Sequence, residues 1–149
     1  MREQLALFDK LSKELDDLYH QFAKFSGLSD CAFWILYTIQ ENGKVYKQKD
    51  LCELWSFSKQ TINSALKVLE KKGLITLASI PENKKDKQIV LTEQGNKMVV
   101  KQLNPFMKAE EVAFEKLGEN EREQLLKITG KFIELLKKET DKIMKGENN

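Results

Sequence analysis

Residues 58–71 are predicted to form a helix with one apolar and one polar side. With 100° per residue and Ile62 as the centre of the apolar side, Leu66 and Leu69 lie within about 60° of Ile62. The opposite side carries amides, hydroxyls and amines, which form hydrogen bonds and, on lysine, carry positive charge. These groups match the edges of nucleotide bases and phosphate oxygens. Gln60, Ser64, Lys67 and Lys71 lie within about 40° of the direction opposite Ile62. The residues assigned to these contacts are Ser58, Lys59, Gln60, Thr61, Asn63, Ser64 and Lys67.

Positive charge is concentrated around this helix. Residues 43–92 contain ten lysines and five acidic residues, whereas the rest of the chain contains 15 basic and 18 acidic residues. The middle region therefore has a net charge of +5 and the remainder −3, although the 149 residues together have only +2. This distribution favours a middle region that binds a polyanion. The alternative is a solvated, lysine-rich surface without a partner.

Hydrophobic residues at intervals of three and four predict amphipathic helices on both sides of this region. The predicted helices cover residues 4–26, 30–41, 47–54, 58–71, 93–117 and 119–145. Gly27 and Gly73 are suited to the left-handed conformation that ends many helices, and Ser58 and Thr92 are suitable amino-terminal caps. Pro105 is expected to kink its helix, because proline has no N–H and clashes with the preceding turn.

Two short runs rich in branched residues follow the helix at 58–71. Residues 74–80 and 88–92 are predicted to be strands, with residues 81–87 as a basic loop between them. Helix, turn, helix and basic hairpin is the order of a winged helix-turn-helix, whose second helix enters the DNA major groove. The predicted fold is mainly α with a small β-hairpin wing, and long amino- and carboxy-terminal helices flank the winged helix-turn-helix core.

The same residues carry a resemblance to a known family. The stretch "KQTINSALKVLEKKGLI" at 59–75 resembles the recognition helix of the MarR family of bacterial transcriptional regulators, including the end of that helix. The stretch "IVLTEQG" at 89–95 is similar to the segment that follows the wing in that family. A third stretch, "GLSDCAFWILYTI" at 27–39, lies where the family has its second helix, so the resemblance covers essentially the whole chain.

This resemblance implies a homodimer that binds a palindromic, double-stranded DNA operator. It further implies a repressor that leaves the operator when a small-molecule effector binds. Residues 1–149 would form a single chain of this kind, with the winged helix-turn-helix at 30–92 and helical dimerisation regions at 1–26 and 93–145. The composition supports a dimer independently, because the apolar stripes of the long helices exceed what one small domain can cover.

A wing contact and a ligand pocket complete the expected sites. The wing lysines expected to contact DNA are Lys84, Lys85 and Lys87. Family members usually carry an aspartate and an arginine at the wing tip, where this chain has Asn83 and Lys85, so the lysines would act there as point charges. The resemblance also implies a pocket between the dimerisation helices and the DNA-binding region. The aromatic residues expected either to line this pocket or to pack in the core are Phe22, Trp34, Tyr37 and Trp55.

Other classes of function find less support. The main alternative is a helical interaction or scaffold protein with an incidental basic surface. No enzyme is predicted, because the chain has no glycine-rich phosphate loop, a single histidine, His20, and serines without a nearby base.

Cofactors and membranes are not expected either. Cys31 and Cys52 form no CxxC pair, so neither a metal nor a cofactor is predicted, and burial is favoured over redox sensing for both thiols. The amino terminus shows no signal-peptide pattern, and no apolar run approaches the roughly 18 residues of a membrane span. These features predict a cytoplasmic protein without a membrane partner.

Overall fold

Seven α-helices and a small three-stranded sheet make up the described part of the chain. The computed structural model describes residues 1–42, 46–80 and 83–146. In chain order the elements are α1 (Arg2–Phe25), α2 (Asp30–Asn42), β1 (Tyr46–Lys47), α3 (Gln48–Trp55), α4 (Lys59–Lys71), β2 (Ile75–Ile80), β3 (Asn83–Leu91), α5 (Glu93–Met98), a π-helical segment (Val99–Leu103), α6 (Asn104–Lys116) and α7 (Gly118–Met144). The first four helices begin and end within two residues of the positions expected from the sequence. The fold is thus mainly α with a small antiparallel hairpin, as predicted.

The sheet differs from the prediction in two respects. Strand β3 begins at Asn83, so most of the expected basic loop at 81–87 belongs to a strand that pairs antiparallel with β2. The two-residue strand β1, which the sequence did not predict, pairs with β3 on its other edge, and the strand order is β1-β3-β2. The register pairs Lys87 with Ser79 and Asn83 with Ile80, so β3 reaches into a lysine-rich segment, although such a segment has low intrinsic strand propensity.

A single hydrophobic core joins α2, α3, α4 and the sheet. Its largest fully buried side chains are Phe33, Ile35, Leu36, Leu51, Ile62, Leu69, Ile75, Ile89, Val99 and Leu103. Leu51 of α3 is fully buried, whereas the side chain of Leu54, one turn later, is 53% exposed. Trp55, four residues after Leu51 and therefore on the same helix face, packs against Trp34 of α2 instead.

The helix expected at 93–117 changes its hydrogen-bond pattern near Pro105. Residues Val99–Leu103 form a π-helical segment, and α6 begins directly after it at Asn104. Pro105 has no N–H to donate to the carbonyl of Lys101, and a π-type turn is one way in which a helix accommodates such a gap. The irregularity that the structure shows is thus a π-helical segment just before the proline, and the predicted kink stays a prediction.

Two compact units divide the chain, Met1–Phe106 and Met107–Asn149. In the first unit, α1 exposes most of its apolar stripe, and the side chains concerned are Leu5, Leu7, Phe8, Leu11, Leu15 and Leu18. In the second unit, none of the residues of α7 is buried, and its large exposed side chains include Leu125, Leu126, Ile128, Ile133, Leu135, Leu136 and Ile143. Within the described residues, no helix combines the length and the apolar character that crossing a membrane requires.

Candidate nucleic-acid interface

Helix α4 is the element that positions the predicted contact residues. Its amino-terminal cap is Ser58, whose hydroxyl accepts a 3.0 Å hydrogen bond from the backbone N–H of Thr61. Gly73, with φ of +67°, follows the other end of the helix in the left-handed conformation. Ile62 and Leu69 are fully buried between these two ends and fix the rotation of the helix about its axis.

All seven residues of this helix and its cap that were predicted to contact nucleic acid are exposed. They are Ser58, Lys59, Gln60, Thr61, Asn63, Ser64 and Lys67, and we refer to them as the outward face of α4. Of these side chains, Ser58 and Thr61 are linked to each other, with 2.8 Å between their hydroxyl oxygens. The other side chains present donors, acceptors and positive charge to the solvent.

A basic groove of about 720 Å³ runs along one edge of the outward face. Lys59, Asn63 and Lys67 from α4 line this groove together with Lys87 from β3. Apolar side chains also line it, and they are Cys52, Leu66, Leu77 and Ile89. The structure therefore brings Asn63 together with three of the predicted lysines.

Two lysines of this groove were not predicted from the sequence. Lys47 and Lys49, at the start of α3, line the groove, so five of its lining residues are lysines, against a single acidic one, Glu70. The excess of lysines in residues 43–92 was visible in the sequence, but nothing there indicated that α3 and β3 come together beside α4. The described groove has the positive potential that attracts a polyanion.

The remaining members of the outward face lie on its other edge. Gln60, Thr61 and Ser64 border a shallow cleft that also contains Asp30, at the start of α2. The carboxylate of Asp30 lies 2.9 Å from Nδ1 of His20, which links α2 to α1. His20 is thus a surface contact between two helices.

The wing is described only in part. Lys87 is exposed, and β3 pairs it with Ser79 of β2. The side chains of Asn83, Lys84 and Lys85 lie outside the described residues, so their predicted contacts stay predictions.

A cluster of hydrogen bonds fixes the carboxy-terminal end of α4 to the start of α5. The Thr92 hydroxyl accepts from the N–H of Gly95 at 2.9 Å and donates to the carbonyl oxygen of Gly73 at 2.5 Å. The backbone N–H of Thr92 donates to the carbonyl oxygen of Leu74 at 3.1 Å. A Cβ atom at Gly95 would overlap that carbonyl oxygen, so only glycine fits. The threonine and the glycine of "LTEQG" therefore hold the end of α4 in place.

The four aromatic residues predicted for a ligand pocket lie in one aromatic cluster. The ring centroids of Trp34 are 4.3 Å from Trp55 and 5.3 Å from Tyr37. Phe22 stacks on Phe106 with a centroid distance of 4.2 Å. These rings pack against one another around the core, and the ligand pocket stays a prediction.

The two cysteines differ in exposure. Cys31 is buried, and burial, with a smaller contribution from the charge of Cys52, raises the pKa of its thiol from 9.0 to about 11. A thiol with such a pKa is almost entirely protonated at neutral pH and is a poor nucleophile. Cys52 is half-buried at the groove. Among the described residues, no three His, Cys, Asp or Glu side chains are grouped in a way that would hold a metal ion.

Known proteins with this arrangement are bacterial regulators. The model of the MarR family matches residues 26–86. A putative MarR family transcriptional regulator from Listeria monocytogenes, solved with a 26-mer DNA, is 26% identical, with a TM-score of 0.71, and the match covers 97% of this chain and 96% of that one.

Two further solved structures share the fold at lower identity. A MarR family regulator from Neisseria meningitidis is 21% identical, with a TM-score of 0.77 and coverage of 93% of this chain and 97% of that one. The S. aureus MepR-DNA complex is 23% identical, with a TM-score of 0.70 and coverage of 88% and 96%. A comparison with curated protein sequences gave no match. Residues 26–86 thus match the MarR family, and the chain as a whole shares the fold of MarR family regulators.

Proposed function

We propose that this protein is a transcriptional regulator that binds double-stranded DNA as a homodimer, on a palindromic operator. The observation that carries the proposal is the outward face of α4, which the core leaves free and which borders a groove lined by five lysines. The S. aureus and L. monocytogenes relatives of the same fold were solved with DNA, which supports nucleic acid as the partner. Repression is the mode of action that we infer from the similarity to the MarR family, and we infer that the protein acts in the cytoplasm.

Each part of the outward face has its own task in this proposal. Gln60, Asn63 and Ser64 contact base edges, because amides and hydroxyls match the donors and acceptors of the major groove. The phosphate contacts are made by Ser58, Lys59, Thr61 and Lys67, and the wing contact by Lys84, Lys85 and Lys87. Lys47 and Lys49 join the phosphate contacts, since they line the same groove as Lys59 and Lys67.

Dimerisation completes the interface. The apolar stripe of α1 and the exposed leucines and isoleucines of α7 are surfaces that a second copy of the chain would cover. Twofold symmetry presents two recognition helices about one turn of DNA apart, about 34 Å, which is the spacing that two half-sites on one face of the duplex require. DNA binding thus depends on dimerisation.

Control by a small-molecule effector is the last part of the proposal. The cluster that contains Trp34 and Trp55 joins α2 to the last residue of α3, the helix that precedes the recognition helix. An effector that inserts beside these rings would shift α3 and, through it, α4. This coupling requires that the effector bind the DNA-free arrangement more tightly than the DNA-bound one.

A salt titration of DNA binding tests the proposal. Gel shifts with the DNA upstream of the protein's own gene, and with a scrambled duplex of equal length, would be measured between 50 and 200 mM salt. With six to ten phosphate contacts, affinity should fall by roughly three to five orders of magnitude over this range. Sedimentation under the same conditions should show a dimer. A flat salt dependence or a strictly monomeric protein would contradict the proposal, and a stable complex without any DNA binding would favour a scaffold protein.

A further inference from the structure

Lys72 differs from the other lysines near the recognition helix in what its side chain contacts. Its ammonium group donates a 2.6 Å hydrogen bond to the backbone carbonyl oxygen of Gly27, which is 45 residues earlier in the chain. Lys72 is the residue that directly follows α4, whereas Gly27 lies in the turn between α1 and α2. The bond therefore links the end of the recognition helix to the end of the first helix.

The two helix ends that this bond joins have the same local geometry. Gly27 and Gly73 both have φ of +67°. After α1, the N–H of Gly27 donates to Lys24 and that of Leu28 to Ala23, at 3.0 and 2.9 Å. After α4, the N–H groups of Gly73 and Leu74 make the equivalent bonds to Glu70 and Leu69, at 2.9 and 3.0 Å. Both ends are thus rigid, glycine-terminated caps of the Schellman type.

Electrostatics favours the contact between the Lys72 ammonium group and the end of α1. The last carbonyl groups of a helix carry partial negative charge, and a lysine ammonium near them is stabilising. The Lys72 side chain thus sits where a cation is favoured, at the end of α1. About the axis of α4, residue 72 lies roughly 140° from Lys67, which places it away from the groove-lining edge.

We propose that Lys72 is a positioning residue for DNA recognition. It fixes the end of α4 against the end of α1, and it does not contact DNA itself. Helix α1 packs on α2, and α4 packs on α2 and α3. The Lys72 bond adds a direct link between α1, which exposes its apolar stripe, and α4, which presents the outward face. This role rests on the proposed function, because it sets the orientation of a DNA-reading helix relative to a dimerisation helix.

The test compares three variants by their salt dependence. Lys72→Met should lower operator affinity about tenfold at fixed salt, because a hydrogen bond from a charged group to a held carbonyl is lost. Its slope of log affinity against log salt should equal that of the wild type. Lys67→Met should reduce that slope by about 1.8, because each of the two protomers loses one phosphate contact. Lys72→Arg retains a cationic donor and should restore affinity to near the wild-type value.

Amide hydrogen exchange provides a readout that does not need DNA. Lys72→Met should speed exchange at the N–H groups of Gly27 and Leu28, which close the end of α1, and Lys72→Arg should not. A reduced salt slope for Lys72→Met would overturn the proposal, because it would make Lys72 a phosphate contact. If Lys72→Met showed wild-type operator affinity and wild-type amide exchange while Lys67→Met reduced the salt slope, the positioning role of Lys72 would be rejected but the proposed function would not. Absence of salt-dependent DNA binding by the wild type would reject the proposed function and, with it, the part of Lys72 in recognition.

Discussion

The indole N–H of Trp55 donates a 2.7 Å hydrogen bond to the hydroxyl of Thr38, which in turn donates to the carbonyl oxygen of Trp34 at 2.7 Å. Thr38 is fully buried, and it is the one polar residue among the fully buried side chains of the described core. The bond links the end of α3, the helix that precedes α4, to the middle of α2.

Replacing Thr38 with valine should therefore destabilise the fold. Valine has nearly the same shape but offers no acceptor to the Trp55 N–H, and the unpaired donor should lower the free energy of unfolding by about 1–3 kcal/mol. Urea unfolding measures the change. Thr140→Val is the matched control, since Thr140 also bonds a carbonyl four residues earlier but is exposed, and it should change stability by less than about 0.5 kcal/mol. Equal effects of the two substitutions would show that the Trp55–Thr38 bond is not stabilising.

Gly95→Ala should be among the most damaging single-methyl changes in this chain. The new Cβ would overlap the carbonyl oxygen of Leu74, and the start of α5 would have to move away from the end of α4. We expect a loss of about 3 kcal/mol or more in unfolding free energy, as for severe overpacking.

Gly130→Ala is the control for this substitution. Gly130 lies inside α7 with no atom near its would-be Cβ, so alanine should raise stability by about 0.5–1 kcal/mol through helix propensity. Thermal unfolding of both variants gives the comparison. A tolerated Gly95→Ala would mean that the junction between α4 and α5 is looser than the structure shows.

Two substitutions separate the two tasks assigned to Ser58. Ser58→Ala removes the cap and should cost about 0.5–2 kcal/mol of stability, whereas Ser58→Asp keeps an acceptor for the Thr61 N–H and should cost little. For DNA affinity the order of the two variants reverses, because a nearby phosphate repels the carboxylate of an aspartate. Gel shifts should thus show a greater loss of affinity for Ser58→Asp than for Ser58→Ala. Wild-type affinity in the aspartate variant would remove Ser58 from the phosphate contacts.

Cys31 should make the stability of the protein depend on alkaline pH. Its thiol has a pKa of about 11 in the folded state and about 9 when unfolded, so the unfolded state loses this proton first as the pH rises. Stability should then be unaffected below about pH 9, fall between about pH 9 and 11, and level off above that range. The difference in urea midpoint between the wild type and Cys31→Ala, followed against pH, isolates this contribution from other groups. A constant difference across that range would contradict the raised pKa.

Much of the fold was predictable because its signals are local. The core face of α4 followed from the spacing of Ile62, Leu66 and Leu69, and its ends from Ser58 and Gly73. The extended β3 and the added β1 were missed because pairing between strands, rather than local propensity, creates them.

The candidate interface was predictable to a similar extent. Its α4 residues follow from helix periodicity, whereas Lys47 and Lys49 join the groove through tertiary packing that no local pattern encodes. The same holds for the bond from Lys72 to Gly27, which spans 45 residues. Contacts between distant parts of the chain are thus what the sequence alone left open.

Asn63 tests how sequence discrimination is achieved. Asn63 lines the basic groove together with Lys59 and Lys67. In the proposed interface its amide contacts a base edge, and the two lysines contact phosphates. Asn63→Ala should reduce the preference for operator over scrambled DNA by about 1–3 kcal/mol and leave the binding of scrambled DNA nearly unchanged. Lys67→Met should instead weaken binding to both duplexes alike. Asn120→Ala, at an exposed asparagine of α7, should change neither value. If Asn63→Ala weakened both duplexes equally, Asn63 would be a backbone contact, and discrimination would have to come from Gln60 and Ser64 on the other edge of the outward face.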